Sequence, residues 1–106
     1  MRKLISLLVV AALTVALALS AVAFGATKKV GVKGLAFSPK SLSIKKGTTV
    51  KWSWTGSVPH NATGKGFKSK SGPKVSYSHK FAKAGTYTVV CTFHKAAGMT
   101  MKIKVK

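Results

Sequence analysis

The sequence predicts an all-β protein, a Greek-key β-sandwich or barrel of about seven strands. Three observations predict it. From Thr27 onward, apolar and polar residues alternate in short runs, the period of a half-buried strand. Glycine, proline and serine interrupt those runs at the spacing of sandwich turns. Beyond residue 26 no apolar run of useful length has the helical period.

Taken in order, Lys28 to Lys33 reads as a first strand with Val30 and Val32 on one face. Leu35-Ala36-Phe37-Ser38-Pro39 reads as a strand end and corner, because proline cannot donate to a ladder. Leu42 and Ile44 alternate with Ser41, Ser43 and Lys45, and Lys46-Gly47 marks a turn. Val50, Trp52 and Trp54 alternate with Lys51, Ser53 and Thr55, which gives one buried and one wet face. Gly56 to Gly72 is expected to be loop with one short edge strand at most, around the apolar Phe67. Val75, Tyr77, His79 and Phe81 share the next face, and Ala84-Gly85 turns the chain. Tyr87, Val89, Cys91 and Phe93 are expected on one face of the following strand, with Tyr87 anchoring a strand corner. Met101, Ile103 and Val105 form the last inward row.

With 106 residues the chain holds one domain at most. Residues 1–23 read as a signal peptide. Arg2 and Lys3 precede an apolar run from Leu4, and Ala21-Val22-Ala23 offers a small-x-small cleavage site. Cleavage is expected after Ala23, with Ala26 as a second position. The rival is an uncleaved anchor, since Leu4 to Ala23 spans about 20 residues, the length that crosses a bilayer. Either way residues 24–106 form a domain that is exported, to periplasm, cell surface or medium. A domain of about 80 residues buries little surface, and such exported domains commonly use disulfides. This chain has one cysteine. A metal would account for that unpaired thiol and would also stabilise a small core.

The charge excludes several functions. The chain has 19 Lys and Arg and no Asp or Glu, and past the signal segment all 17 cations are lysines. Cation cages made of side-chain carboxylates are excluded, as is any mechanism needing a carboxylic acid or base. The excess suits acidic partners or an anionic membrane surface. No specific nucleic-acid role is expected, because the lysines are spread through strands and the exported part has no arginine for bidentate contacts.

The residues that carry chemistry lie late in the chain. Cys91, His94 and Met99 fall within nine residues, and His60 follows Pro59 in the connection after the Trp-rich strand. Two histidines, a cysteine and a methionine are the ligand set of a blue-copper electron-transfer site. The metal ligands are therefore expected to be His60, Cys91, His94 and Met99, holding one copper per chain. Asn61 is placed to bond across to the backbone near Cys91 and keep the two loops in register. Met101, Trp52 and Trp54 are expected in the core, and His79 beside Tyr77 and Phe81 is expected to be structural. Cys91, His60 and His94 could also hold zinc. No catalytic residue is expected, because no second histidine cluster remains for a further metal centre.

Pro59-His60-Asn61, followed by Gly85-Thr86-Tyr87 and then Cys91, His94 and Met99, resembles the cupredoxins of plastocyanin type. Phe37, Pro39, Leu42, Ile44, Gly47, Val50 and Trp52 are similar to that family's upstream pattern, and Trp52-Ser53-Trp54-Thr55-Gly56 is similar to its halocyanin-like branch. The resemblance covers Lys28 to Lys106. It implies a cupredoxin-like fold and a monomeric carrier of single electrons between redox partner proteins. The same fold and ligands would also serve a copper delivery or storage protein. His94 would be the partly exposed exit for the electron, ringed by Val58, Pro59, Ala96, Ala97 and Gly98. Photosynthetic plastocyanins carry tyrosine just before the cysteine and an acidic patch beside it. This chain has Val90 there and no acidic residue. Docking is therefore expected near His94, with Lys95 at the rim and acidic partners favoured.

Overall fold

The computed structural model describes residues 26–106, so the expected signal peptide lies outside the described residues. Among the described residues nine strands form two sheets: β1 (Thr27–Lys33), β2 (Ala36–Ser38), β3 (Ser41–Ile44), β4 (Thr48–Trp54), β5 (Thr63–Gly64), β6 (Phe67–Lys68), β7 (Val75–Phe81), β8 (Gly85–Val90) and β9 (Thr100–Val105). The first sheet has the order β2-β1-β4-β7 and the second β3-β9-β8-β5-β6. β1 runs parallel to β4, and β3 parallel to β9, while the other pairs are antiparallel. The chain changes sheet after β2, at a cis Ser38–Pro39 bond. This is the all-β sandwich that the alternation predicts. The excess over about seven strands comes mainly from β5 and β6, two residues each, inside the segment expected to be mostly loop.

The alternation works as expected because each sheet buries one face against the other. Val30, Val50, Trp52 and Phe81 from the first sheet meet Ile44, Val89, Met101, Ile103 and Val105 from the second. Trp52 lies at the centre. It is fully buried, and its ring centroid is 5.7 Å from Phe67 and 5.9 Å from Tyr77. Its indole N–H donates to Met101 Sδ at 3.4 Å, so the buried donor is not left without a partner. Burying a large side chain of this kind stabilises the fold by about 3 kcal/mol. Tyr87 anchors a corner, as expected: its hydroxyl donates to the Lys83 carbonyl at 2.9 Å.

The outer faces are lysine and hydroxyl. On the second sheet the exposed rows read Ser43–Lys104–Thr86 and Ser41–Lys102–Thr88. On the first, Lys29 and Lys51 are direct neighbours across β1 and β4.

One expectation changes at the end of β8. The strand stops at Val90, and Thr92 to Gly98 fold into turns with a single 3-10 turn at Lys95–Ala97. Cys91 keeps its inward direction and is fully buried, whereas Phe93 is 54% exposed. The cause is local: the His94 N–H donates to the Cys91 carbonyl at 3.2 Å and the Cys91 N–H to the Met99 carbonyl at 3.0 Å. The backbone closes on itself here instead of pairing with a neighbouring strand, so alternation no longer decides which way Phe93 points.

Candidate metal centre

Two loops at one end of the sandwich supply the site. The first follows β4. Pro59 stiffens it, and an isolated bridge fixes it: the His60 N–H donates to the Gly72 carbonyl at 3.0 Å, and the Gly72 N–H returns to the His60 carbonyl at 3.1 Å. Trp54 adds a second hold. Its indole N–H donates to the same Gly72 carbonyl at 2.9 Å, and its ring meets the His60 ring edge-on at 6.1 Å. The second loop runs from Cys91 to Met99. Gly98 takes a left-handed conformation, φ 83°, where a side chain would be strained. The Met99 N–H donates to the His94 carbonyl at 3.2 Å.

Asn61 joins the loops. Its carbonyl oxygen accepts from the Thr92 N–H at 3.0 Å and from the Thr63 hydroxyl at 3.1 Å. Its amide donates to Thr92 Oγ1 at 2.7 Å and to Ser71 Oγ at 3.1 Å. Asn61 is only 1% exposed, so its amide is held out of water with all these bonds made, and a satisfied buried amide is rigid. The expected link from Asn61 to the backbone beside Cys91 is therefore present.

The result is a compact donor group. One ligand-capable atom each from His60, Cys91 and His94 lie within 4.8 Å of one another. Cys91 Sγ is 3.4 Å from His94 Nδ1 and 4.0 Å from His60 Nδ1. His60 is 5% exposed and His94 half-buried. Burial, and after it the neighbouring His94, push the His60 imidazole below its ordinary pKa. The shift favours the neutral ring, the form with a lone pair to give a metal. Met99 is fully buried and shares backbone bonds with both Cys91 and His94. One soft thiol, two imidazoles and a thioether beside them suit copper, and no carboxylate competes.

Other sequence-selected residues sit elsewhere. Met101 lies in the core beneath Trp52. His79 stacks on Phe67 at 4.4 Å and meets Phe81 edge-on. Sequence reasoning placed Trp54 in the core but missed its contact with His60 and its bond to Gly72. The two-residue spacing of Trp52 and Trp54 showed a shared face, and nothing local showed what lay above it.

The sandwich and its grouped histidines, cysteine and methionine define a cupredoxin, the blue-copper class of electron carrier. A family model described as copper binding proteins of the plastocyanin/azurin family matches residues 25–106, and the chain belongs to that family. It is 37% identical over 86 residues to a plastocyanin of Scenedesmus fuscus, covering 68% of this chain and 88% of that protein. Among solved structures it is similar to a novel purple cupredoxin from Nitrosopumilus maritimus, with TM-score 0.64 and 27% identity over 74% of this chain and 99% of that one. It is also similar to the oxidised form of plastocyanin from Dryopteris crassirhizoma, with TM-score 0.62 and 25% identity over 74% and 99% of the two chains.

Proposed function

We propose that His60, Cys91, His94 and Met99 hold one copper ion, and that the protein, exported from the cytoplasm, carries single electrons between redox partner proteins. The observation that carries this reading is the meeting of three donor atoms from two separate loops within 4.8 Å. Bound there, copper supplies a one-electron Cu(I)/Cu(II) couple. The chain supplies everything else. Cys91 and Met99, both fully buried, keep water from the sulfur side. Asn61, Trp54 and the Gly72 bridge fix the loops, so that little has to move when the charge of the site changes.

His94 is the ligand nearest solvent, and the surface around it is apolar. Phe93 is 54% exposed, Val58 44% and Leu35 43%, and these are the exposed large hydrophobic side chains among the described residues. Phe93 lies 6.3 Å from the His94 ring. Val58 and Gly34, the neighbour of Leu35, line one hollow with His60. A partner docking on this face would exclude water from the shortest route to the metal. Lys95 at its margin favours an acidic partner.

The test is optical. Cu(II) added to the purified protein is expected to give an intense thiolate-to-copper band in the visible range, and Cys91→Ser is expected to remove it. Persistence of the band in that variant would sink the ligand assignment. A colourless protein with a tightly held metal would indicate zinc. A coloured protein that exchanges electrons slowly with small redox reagents would indicate storage or delivery.

A further inference from the structure

β8 is paired along its whole length with β9, from Gly85↔Val105 to Val90↔Thr100. Its other side is nearly bare. Among the described residues the only ladder partner there is Thr63, opposite Val90, because β5 and β6 are two residues each and end at once. The stretch Gly85–Val89 thus has an open edge. β7, the neighbouring edge of the other sheet, pairs only with β4 among the described residues. The two open edges face a groove of about 880 Å³. Its aromatic lining is His79, Phe81 and Tyr87, and its cations are Lys65, Lys80 and Lys83. All three lysines are exposed, as are Gly85, Thr86 and Thr88.

An open strand edge is a template for another strand. Lysines beside it normally prevent that, and here they do so against further copies of this chain, all of which carry the same positive charge. The same lysines have the opposite effect on a strand that brings carboxylates. We propose that the open edge of β8 is a docking site for an extended acidic segment of a partner protein, which adds to the second sheet as a further strand. Main-chain bonds to residues 85–89 would give the register. Carboxylates of the added strand would meet Lys65, Lys80 and Lys83 at the margins of the groove. Apolar side chains on its inward face would enter the groove over Phe81, Tyr87 and His79, every second residue of the strand. The docking site uses none of the proposed metal ligands and stands apart from the copper reading.

The probe is a twelve-residue peptide alternating Glu and Val, with a control of equal charge carrying proline at alternate Val positions. Both are titrated into the full-length, isotope-labelled protein while backbone amide shifts and hydrogen exchange are followed. The alternating peptide is expected to shift and protect amides within 85–89. The proline peptide, which cannot complete the ladder, is expected to bind at least several-fold more weakly and to protect none. Replacing Lys65, Lys80 and Lys83 by Gln is expected to weaken binding about tenfold, as three exposed ion pairs would. The same change at Lys29, Lys51 and Lys102, on the outer faces, is expected to leave it within a factor of about two. Equal binding of the two peptides, equal effects of the two triple variants, or shifts spread over the outer faces would each overturn the proposal. So would the same amide protection from a DNA duplex or from anionic lipid vesicles.

Discussion

At the scale of single residues, the site depends on a side chain that is not expected to touch the metal. Asn61 satisfies the Thr92 N–H, the Thr92 and Thr63 hydroxyls and Ser71 from a buried position. Asn61→Ala removes the buried amide and all four of these bonds, and is expected to destabilise the protein by about 2 kcal/mol. Thermal melts check this, and a variant as stable as the parent would show that the loops hold each other by other means. His79 offers a test by pH. Its pKa is lowered from the ordinary 6.5 by burial against Phe67, so the folded protein favours the neutral ring. The unfolded chain binds the proton more readily. The stabilising contribution is therefore whole above about pH 6.5 and is lost as pH falls toward the lower folded value. The melting temperature is expected to drop between about pH 7 and pH 5, and to drop less in His79→Gln. His60 shifts in the same direction but is common to both proteins. Parallel slopes would remove His79 as a contributor.

At the scale of elements, β5 and β6 deserve the closest test, because they are short yet hold Phe67 in place. A Cβ on Gly64 would collide with the Phe67 ring, which stacks on Trp52 and His79. Gly64→Ala is expected to cost about 2 kcal/mol by overpacking, read in chemical denaturation. A neutral result would mean that the ring moves aside freely. These elements also mark what the sequence could and could not reveal. Strands of several residues announced themselves, because Val75 to Phe81 or Met101 to Val105 must alternate to bury one face. A two-residue strand has no period to read. The grouping of the candidate donors was legible because Cys91, His94 and Met99 lie in one loop and His60 follows a proline. Phe93 was misplaced because its direction is set by the turn that closes around Cys91, not by the ladder. The grip of Trp54 on His60 was invisible because it joins segments through Gly72, a residue with no side chain to attract notice.

At the scale of the whole molecule, the net charge is the dominant fact. Lys29 faces Lys51 directly across two strands, an arrangement that costs stability where nothing screens it. There is no side-chain carboxylate to relieve it. Stability is expected to rise as salt is added from very low ionic strength and to level off near physiological values, where the screening length has fallen to about 8 Å. A flat response in thermal melts would mean that the lysines are already far enough apart in solution.

The carboxylate-free surface has one more consequence. Most proteins change charge steeply in acid, because native carboxylates must take up protons there. This chain has no side-chain carboxylate to protonate there, so acid changes its charge far less. Any acidic protein bound to it behaves differently, losing negative charge as pH falls through about 4. In such a complex one side holds a constant potential and the other is discharged by protons. Acid would then weaken the pair through the partner alone, and the pH of release would be written in the partner's sequence.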